Sequence, residues 1–248
     1  MFPWKTVARS AVAVLLTCVS TAYASVVIMG TRVIYPAGDR EVSIKLSNEG
    51  SSPALVQTWL DKGDPKAQPG AVQLPFTLMP PLFRMEPRKG QTLRLIYTGE
   101  PLPQDKESVF WLNVLEVPPK AQVSTENENL MQLAFRYRIK IFFRPKALPD
   151  NPDAAATQLK WTPVPEGGEM KVRVDNPSAY HVTIVNIDAG IDGKSYSDSV
   201  GGMVDPGGSM TFLLKKSAVT PAAGPFEVKY RYINDYGAEV NATFPKSK

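Results

Sequence analysis

Four cations stand at even-numbered positions in the segment LAFRYRIKIFFRP, residues 133–145. They are Arg136, Arg138, Lys140 and Arg144, whereas every odd-numbered position from 133 to 143 is aliphatic or aromatic. Successive side chains of a β-strand point to opposite faces, so this alternation predicts a strand with one apolar and one basic face. The pattern leaves open whether the cations bind an anion, form salt bridges or are solvated. It also leaves open whether the apolar face is buried in its own domain.

Groups that could perform nucleophilic, acid–base or metal chemistry are scarce. The one histidine, His181, begins a predicted strand, where a structural or surface role is more typical than catalysis. The one cysteine, Cys18, lies near the N-terminus, so His and Cys cannot build a common metal site. We interpret Asp61 and Asp64 as solvated loop charges. No P-loop, G-x-S-x-G or H-E-x-x-H motif occurs. The sequence therefore disfavours an enzyme and predicts neither a metal nor a cofactor.

The first 24 residues have the three parts of a secretory signal peptide. Lys5 and Arg9 form a positive region, an apolar run covers residues 11–19, and Ala22-Tyr23-Ala24 fits the small-residue cleavage pattern. We predict cleavage directly after this triplet. The apolar run is too short for a transmembrane anchor, so no membrane insertion is expected, and lipid attachment at Cys18 is a lesser alternative. An exported chain without further cysteines has no disulfides, which favours a bacterial periplasm.

The composition is that of an ordinary folded protein. The 248 residues are 43% hydrophobic and 21% charged, which suits one large or two small domains and argues against disorder. Removal of the signal peptide lowers the formal net charge from +4 to about +2. The overall charge therefore does not favour nucleic acid as a partner.

Beyond the signal peptide, short alternating runs are separated by turn residues. The runs span residues 41–48, 54–60, 91–97, 108–117, 169–176, 181–187, 209–216, 226–235 and 239–244. Short strands at this spacing predict antiparallel β-sandwiches. Segment 144–156, rich in Pro, Asp and Ala, is the natural linker. We therefore predict an all-β chain with an N-terminal domain at 25–146 and a C-terminal domain at 147–248.

The segment LPQDKESVFWLNVLEVPP, residues 102–119, resembles the signature of the periplasmic pilus chaperones, the PapD-like family. Further family landmarks follow in order: TRVIYPAG (31–38), PPLFRMEP (80–87), VDNPSAYHVT (174–183), GGMVDPGGS (201–209) and YINDYGA (232–238). The resemblance covers nearly all of the chain beyond the signal peptide. It implies two immunoglobulin-like β-sandwiches set in an L shape.

The resemblance also implies a function. Such a chaperone binds a pilus subunit that lacks its own last strand, lends it an edge strand by donor-strand complementation, and delivers it to an outer-membrane usher. Here the lent strand would cover about residues 131–144. Its groove-filling side chains would be Met131, Leu133 and Phe135. The free chaperone would have to shield them by a mobile loop or by self-association.

Two of the cations acquire an expected binding role from the resemblance. Arg32 and Lys140 correspond to a pair that holds the carboxylate at the end of the subunit, in the cleft between the domains. Such an anchor would set the register, because a slip of one residue turns every groove-filling side chain away from the groove.

The remaining cations divide into two groups. Arg144 corresponds to a member of an interdomain ion cluster with Glu107 and Asp235, which would fix the angle between the domains. Arg136 and Arg138 have no counterpart. They could be solvated, or they could contact the subunit or the assembly platform.

A structural pilus or adhesin subunit is the alternative function. It is disfavoured because the predicted mature chain begins directly in a strand-like run, SVVIMGTRV, rather than in a donor extension. The lack of a cysteine pair around the loop at 120–130 favours the short-loop subclass of the chaperones.

Overall fold

A computed structural model describes residues 25–120, 132–149, 151–217 and 226–245. Residues 1–24, which are predicted to form a signal peptide, and Met131 lie outside these ranges. The N-terminal strands are β1 Val26–Ile28, β2 Arg32–Pro36, β3 Val42–Asn48, β4 Ala54–Asp61, β5 Phe76–Met79, β6 Leu82–Met85, β7 Gly90–Tyr97, β8 Ser108–Val117 and β9 Phe135–Arg144. A helix follows, α1 Pro152–Thr157, and then β10 Lys160–Glu166, β11 Glu169–Asp175, β12 Val182–Ile191, β13 Lys194–Asp198, β14 Gly202–Val204, β15 Ser209–Lys216, β16 Phe226–Ile233 and β17 Glu239–Phe244. In the described ranges, no helix is long and apolar enough to cross a membrane.

The N-terminal strands form two sheets that enclose one core. One sheet has the order β1-β3-β7-β5 and the other β2-β9-β8-β4-β6. An aromatic cluster fills the space between them, with ring centroids 4.7 to 6.5 Å apart. Its members are Tyr35, Phe76, Tyr97, Phe110 and Phe143. These rings come from the apolar faces of strands in both sheets, so alternation along each strand is enough to build the core.

The C-terminal strands form a second β domain with its own core. Their order is β10-β11-β15-β13-β12-β16-β17, and β14 also pairs with β12. The contact between β13 and β15 is short, Tyr196 with Lys216 and Ser197 with Lys215. This narrow junction lets one curled sheet cover both sides of the core around Trp161, which is why the domain behaves as a sandwich. The prediction of an all-β fold with two domains is confirmed.

Strand β9 begins later than the sequence suggested, at Phe135 rather than near residue 131. Its partner β8 ends at Val117, and the two prolines that follow have no N–H group to continue the ladder. Strand β9 pairs with β8 from Phe135 to Phe143, which is all of the strand except its last residue. It pairs with β2 only from Lys140 to Arg144. Within the described ranges, the other edge of residues 135–139 therefore has no strand partner.

The segment predicted as a linker, 144–156, contains all but the last residue of the helix α1. Asn151 caps its first turn by accepting a hydrogen bond from the N–H of Ala154 at 2.8 Å, and Pro152 begins it. Ala156 is buried against the C-terminal core, and its carbonyl accepts a hydrogen bond from the Tyr230 hydroxyl at 2.8 Å. With six residues, the helix is too short for its apolar face to appear as a periodic pattern in the sequence.

Candidate functional site

Arg32 and Lys140 lie opposite each other on the parallel strands β2 and β9. Paired residues on neighbouring strands point to the same face, here the one that looks away from the N-terminal core. The Arg32 Nη1 atom donates to the carbonyl of Ile233 in the C-terminal domain at 3.0 Å. Its guanidinium lies 5.4 Å from the centre of the Phe142 ring. The structure thus brings both cations together where the two domains meet.

This pair of cations lacks an anion of its own among the described residues. Burial and the charge of Arg32 together lower the pKa of Lys140 to about 8, and Asp205 opposes this only in part. Burial also lowers the pKa of Arg32, against the opposing charges of Asp235 and Glu107. The Nε atom of Arg32 is buried and has no hydrogen-bond partner in the described structure. An anion bound here would offset both the desolvation and the repulsion.

Arg144, Glu107 and Asp235 form a cluster of ion pairs at the domain junction. Arg144 Nη2 lies 2.7 Å from Glu107 Oε1, and Arg144 Nη1 lies 2.7 Å from Asp235 Oδ2. Burial acts to lower the pKa of Arg144, but its bonds to Asp235 and Glu107 outweigh burial and raise it. The cluster connects β9 to the turn after β16. Because buried ion pairs add little net stability, we assign it to geometry rather than to folding energy.

His181 completes the same junction. Its backbone N–H donates to Glu107 Oε2 at 2.9 Å, and its ring atom Nδ1 lies 3.2 Å from the same oxygen. Its Nε2 atom lies 3.8 Å from Asp205 Oδ1, and its ring packs 5.6 Å from that of Phe142. The histidine is therefore a buried contact between the domains, in line with a structural role.

Arg138 is bound within its own domain and is not a free surface charge. Its guanidinium donates to both oxygens of Asp61, at 3.2 and 2.5 Å, and lies 4.0 Å from the centre of the Trp111 ring. Asp61 is fully buried and also accepts from Asn113 Nδ2 at 2.7 Å and from the N–H of Gly63 at 2.6 Å. The interpretation of Asp61 as a solvated loop charge is wrong. Burial acts to raise the pKa of Asp61, but hydrogen bonds from Arg138, Asn113 and Gly63 together lower it.

Arg136 connects the segment after β4 to the sheet through hydrogen bonds. It donates to Asn113 Oδ1 and to the carbonyl of Pro65, both at 2.7 Å, and lies 4.7 Å from the centre of the Trp59 ring. Trp59 in turn donates from Nε1 to the carbonyl of Ala67 at 3.1 Å. The Arg136 side chain is therefore bound within its own domain, and neither solvation nor contact with a partner is needed to account for its charge.

Three of the four cations of β9, Arg136, Arg138 and Lys140, lie against the rings of two tryptophans on the same face of the sheet. The Lys140 Nζ atom lies 5.3 Å from the centre of the Trp111 ring. Trp111 therefore lies against both Arg138 and Lys140. Arg138 is already paired with Asp61, whereas Lys140 forms no ion pair with any described side chain.

The predicted groove-filling side chains lie at the open end of β9. Leu133 is 53% exposed, just before the strand. Phe135 begins the strand and is half-buried, whereas Met131 lies outside the described residues. Further along, Ile141 and Phe143 are fully buried in the N-terminal core. The apolar face of this strand is therefore exposed at one end and buried at the other.

Two domain families match the chain. One, "Pili and flagellar-assembly chaperone, PapD N-terminal domain", matches residues 25–149. The other, "Pili assembly chaperone PapD, C-terminal domain", matches residues 154–244. The chain belongs to the PapD-like family of pilus assembly chaperones. Proteins of this PapD-like family are chaperones rather than enzymes, as the sequence predicts.

Individual relatives span the same two domains. This PapD-like chain is 42% identical over 230 residues to the probable fimbrial chaperone YadV of Escherichia coli K12, covering 91% of this chain and 92% of YadV. It is 44% identical over 235 residues to the chaperone protein FimB/FhaD of Bordetella pertussis, covering 93% and 92%. The crystal structure of YadV matches with a TM-score of 0.71 at 39% identity, over 89% of this chain and 98% of that one. A structure of the Salmonella enterica SafA pilin in complex with the SafB chaperone matches with a TM-score of 0.72 at 29% identity, over 91% and 98%.

Proposed function

We propose that this protein is a periplasmic chaperone that caps pilus subunits by donor-strand complementation and delivers them to an outer-membrane usher. The guest subunit would be an immunoglobulin-like domain without its last strand, with a hydrophobic groove and unpaired backbone groups. Strand β9 would supply the missing strand. The complex of the SafA pilin with the SafB chaperone, a related structure, supports a pilus subunit as the partner.

The observation that carries this proposal is the edge of residues 135–139 in β9, which has no strand partner among the described residues. An exposed strand edge invites pairing with another chain, and proteins usually protect such edges. Here the edge begins two residues after Leu133, which is 53% exposed, so unpaired backbone groups and an exposed apolar side chain follow each other along the chain. A subunit strand could add to this edge and receive Leu133, Phe135 and Met131 in its groove. The free chaperone would cover the edge by a mobile loop or by self-association.

Arg32 and Lys140 would anchor the C-terminal carboxylate of the subunit. Support comes from their juxtaposition, from the unpartnered Nε of Arg32 and from the lowered pKa of Lys140. Anchoring one end of the guest strand would fix its register against β9. The ion cluster of Arg144, Glu107 and Asp235 would hold the two domains at the angle that forms the cleft.

The mature protein would act after export and removal of residues 1–24. Its domains would divide at residues 25–146 and 147–248. In this arrangement β9 ends the first domain, and it carries both the donor edge and Lys140, one of the two cations of the carboxylate anchor.

Co-expression in the periplasm with subunits from the same operon tests the proposal. We expect Arg32→Ala and Lys140→Ala each to leave the chaperone folded but to weaken subunit binding about tenfold or more, because each removes a charge-assisted hydrogen bond of roughly 1.5–3 kcal/mol. The double variant Leu133→Ser and Phe135→Ser should release the subunit to degradation. The measurement is the subunit recovered with the chaperone, relative to the chaperone itself.

Two controls match these variants. Arg84 forms an exposed ion pair with Glu86, so Arg84→Ala should retain the subunit. Leu82, 56% exposed, is as accessible as Leu133 but lies on β6 at the opposite edge of the sheet, so Leu82→Ser should also retain it. Full subunit recovery with both cations replaced would refute the carboxylate anchor. Full recovery with the two serines would refute the donor strand.

A further inference from the structure

Glu116 is a buried carboxylate without a cationic partner in the described structure. It lies near the end of β8 on the face of the N-terminal core, and only 4% of the residue is exposed. Among the described side chains, no Lys, Arg or His forms an ion pair with it. An ionised carboxylate buried without a counter-charge is costly, so its surroundings call for a positive group.

The donors that do reach Glu116 come from two adjacent residues, Ser25 and Val26. The backbone N of Ser25 lies 3.2 Å from Oε1, and the backbone N of Val26 lies 3.0 Å from Oε2. The Ser25 hydroxyl donates to Oε1 as well. Both oxygens of the carboxylate are therefore directed at the first residues after the predicted cleavage site.

The position of Ser25 is closely defined. Its carbonyl accepts a hydrogen bond from the N–H of Glu49 at 2.7 Å. At Gly50, a Cβ atom would lie 2.5 Å from the Cβ of Ser25, so only glycine allows this approach. Val26 is fully buried and begins β1. Since β1 and β8 belong to different sheets, Glu116 connects the two sheets of the sandwich through this site.

Cleavage before Ser25 would change the charge of this site without moving its atoms. Hydrolysis of the Ala24–Ser25 peptide bond consumes one water, leaves a carboxylate on Ala24 and leaves an ammonium group on Ser25. The nitrogen that donates to Glu116 as a neutral amide would then donate as a cation. Charge-assisted hydrogen bonds are roughly twice as strong as neutral ones.

We propose that Glu116 is the receptor for the α-ammonium group of Ser25, so that removal of the signal peptide completes a buried ion pair between the two sheets. This inference rests on the export and cleavage included in the proposed function. It has a consequence for the precursor: before cleavage the buried carboxylate has only neutral donors, and the N-terminal domain is less stable. Processing thereby stabilises the chaperone in the compartment where it works.

The experiment compares two forms of the full mature chain. One begins at Ser25, and the other carries a single glycine before Ser25, which moves the ammonium group by about 3.5 Å along the chain. Each form is made with native Glu116, with Glu116→Gln and with Glu49→Gln. Glu49 is the matched control, because it also lies beside Ser25 but its side chain is 59% exposed.

The free energy of unfolding is measured in urea for all six proteins. We expect the added glycine to lower the folding equilibrium constant about tenfold with native Glu116 and with Glu49→Gln, but hardly at all with Glu116→Gln. An equal loss in all three backgrounds would overturn the inference. If Glu116→Gln does not fold, the α-ammonium of the native form is titrated directly. Its pKa should exceed the usual range of about 7.7–8.0, and an unshifted value would overturn the inference.

The mass of the exported protein separates this inference from the proposed function. An N-terminus other than Ser25 would overturn the ion pair and leave the chaperone role intact. Conversely, the subunit recovered with Arg32→Ala and Lys140→Ala tests the chaperone role alone, because Lys140 pairs with Trp111, five residues before Glu116 on β8.

Discussion

The affinity of this chaperone for a subunit carboxylate should fall as the pH rises above about 8. In the free protein, burial and the neighbouring charge of Arg32 lower the pKa of Lys140 to about 8. A bound carboxylate favours the ammonium form and raises this pKa again. Above pH 8 the complex therefore holds a proton that the free chaperone has lost, and binding must take that proton up.

The size and sign of the effect follow from this difference. Below about pH 8, Lys140 is protonated in both states and the affinity is independent of pH. Above it, the affinity falls by up to tenfold per pH unit, about 1.4 kcal/mol, until the pH reaches the pKa of Lys140 in the complex. At pH 9.5 the loss would be roughly thirtyfold, provided that the pKa in the complex is higher still.

The assay is fluorescence anisotropy with a peptide that copies the C-terminal residues of a subunit that co-purifies with the chaperone. Lys140→Arg is the matched control. Because arginine keeps its charge throughout this pH range, the affinity of this variant for the peptide should not change with pH. The same peptide with an amidated C-terminus should bind more weakly at every pH and without the slope. A flat profile for the native chaperone, or the same slope in Lys140→Arg, would refute the reasoning.

Two further predictions concern the other cations of β9. Arg138→Met leaves the fully buried Asp61 without its cation and should reduce the free energy of unfolding by about 3 kcal/mol, measured in urea; adding Asp61→Asn should recover much of this loss. Arg144→Met should leave both domains folded but widen the distribution of distances between them in X-ray scattering, because it removes the ion pairs to Glu107 and across the junction. An unchanged scattering profile would contradict the role of the Arg144 ion cluster in fixing the angle between the domains. The control is Arg84→Met, which breaks only an exposed ion pair and should change neither the free energy of unfolding nor the scattering profile.

The strands with a long alternating pattern were predictable from the sequence. The run at 108–117 is β8, with the same bounds, and the runs at 54–60 and 209–216 correspond to β4 and β15 within one residue. The short strands β5, β6 and β14 were missed, because three or four residues cannot establish a period of two. Their existence depends on the neighbours with which they pair.

Side-chain partners at the site were much less predictable. Asp61 and Arg138 are 77 residues apart, and their contact requires β4, β8 and β9 to be adjacent in the right register. A signal was present: Trp59 and Asp61 share the face of β4 opposite its core side chains. A tryptophan and a carboxylate at alternate positions suggest a covered polar face, although they do not reveal which cation covers it.

The sequence by itself determined the all-β class, the two-domain division and the basic and apolar faces of β9, because alternation is a property of one local segment. The tertiary structure alone decided how the cations of that strand are used. Arg136, Arg138 and Arg144 meet acceptors from distant parts of the chain, whereas Lys140 meets a tryptophan ring and another cation. That difference arises from strand order and register, which are set by contacts between residues far apart in sequence.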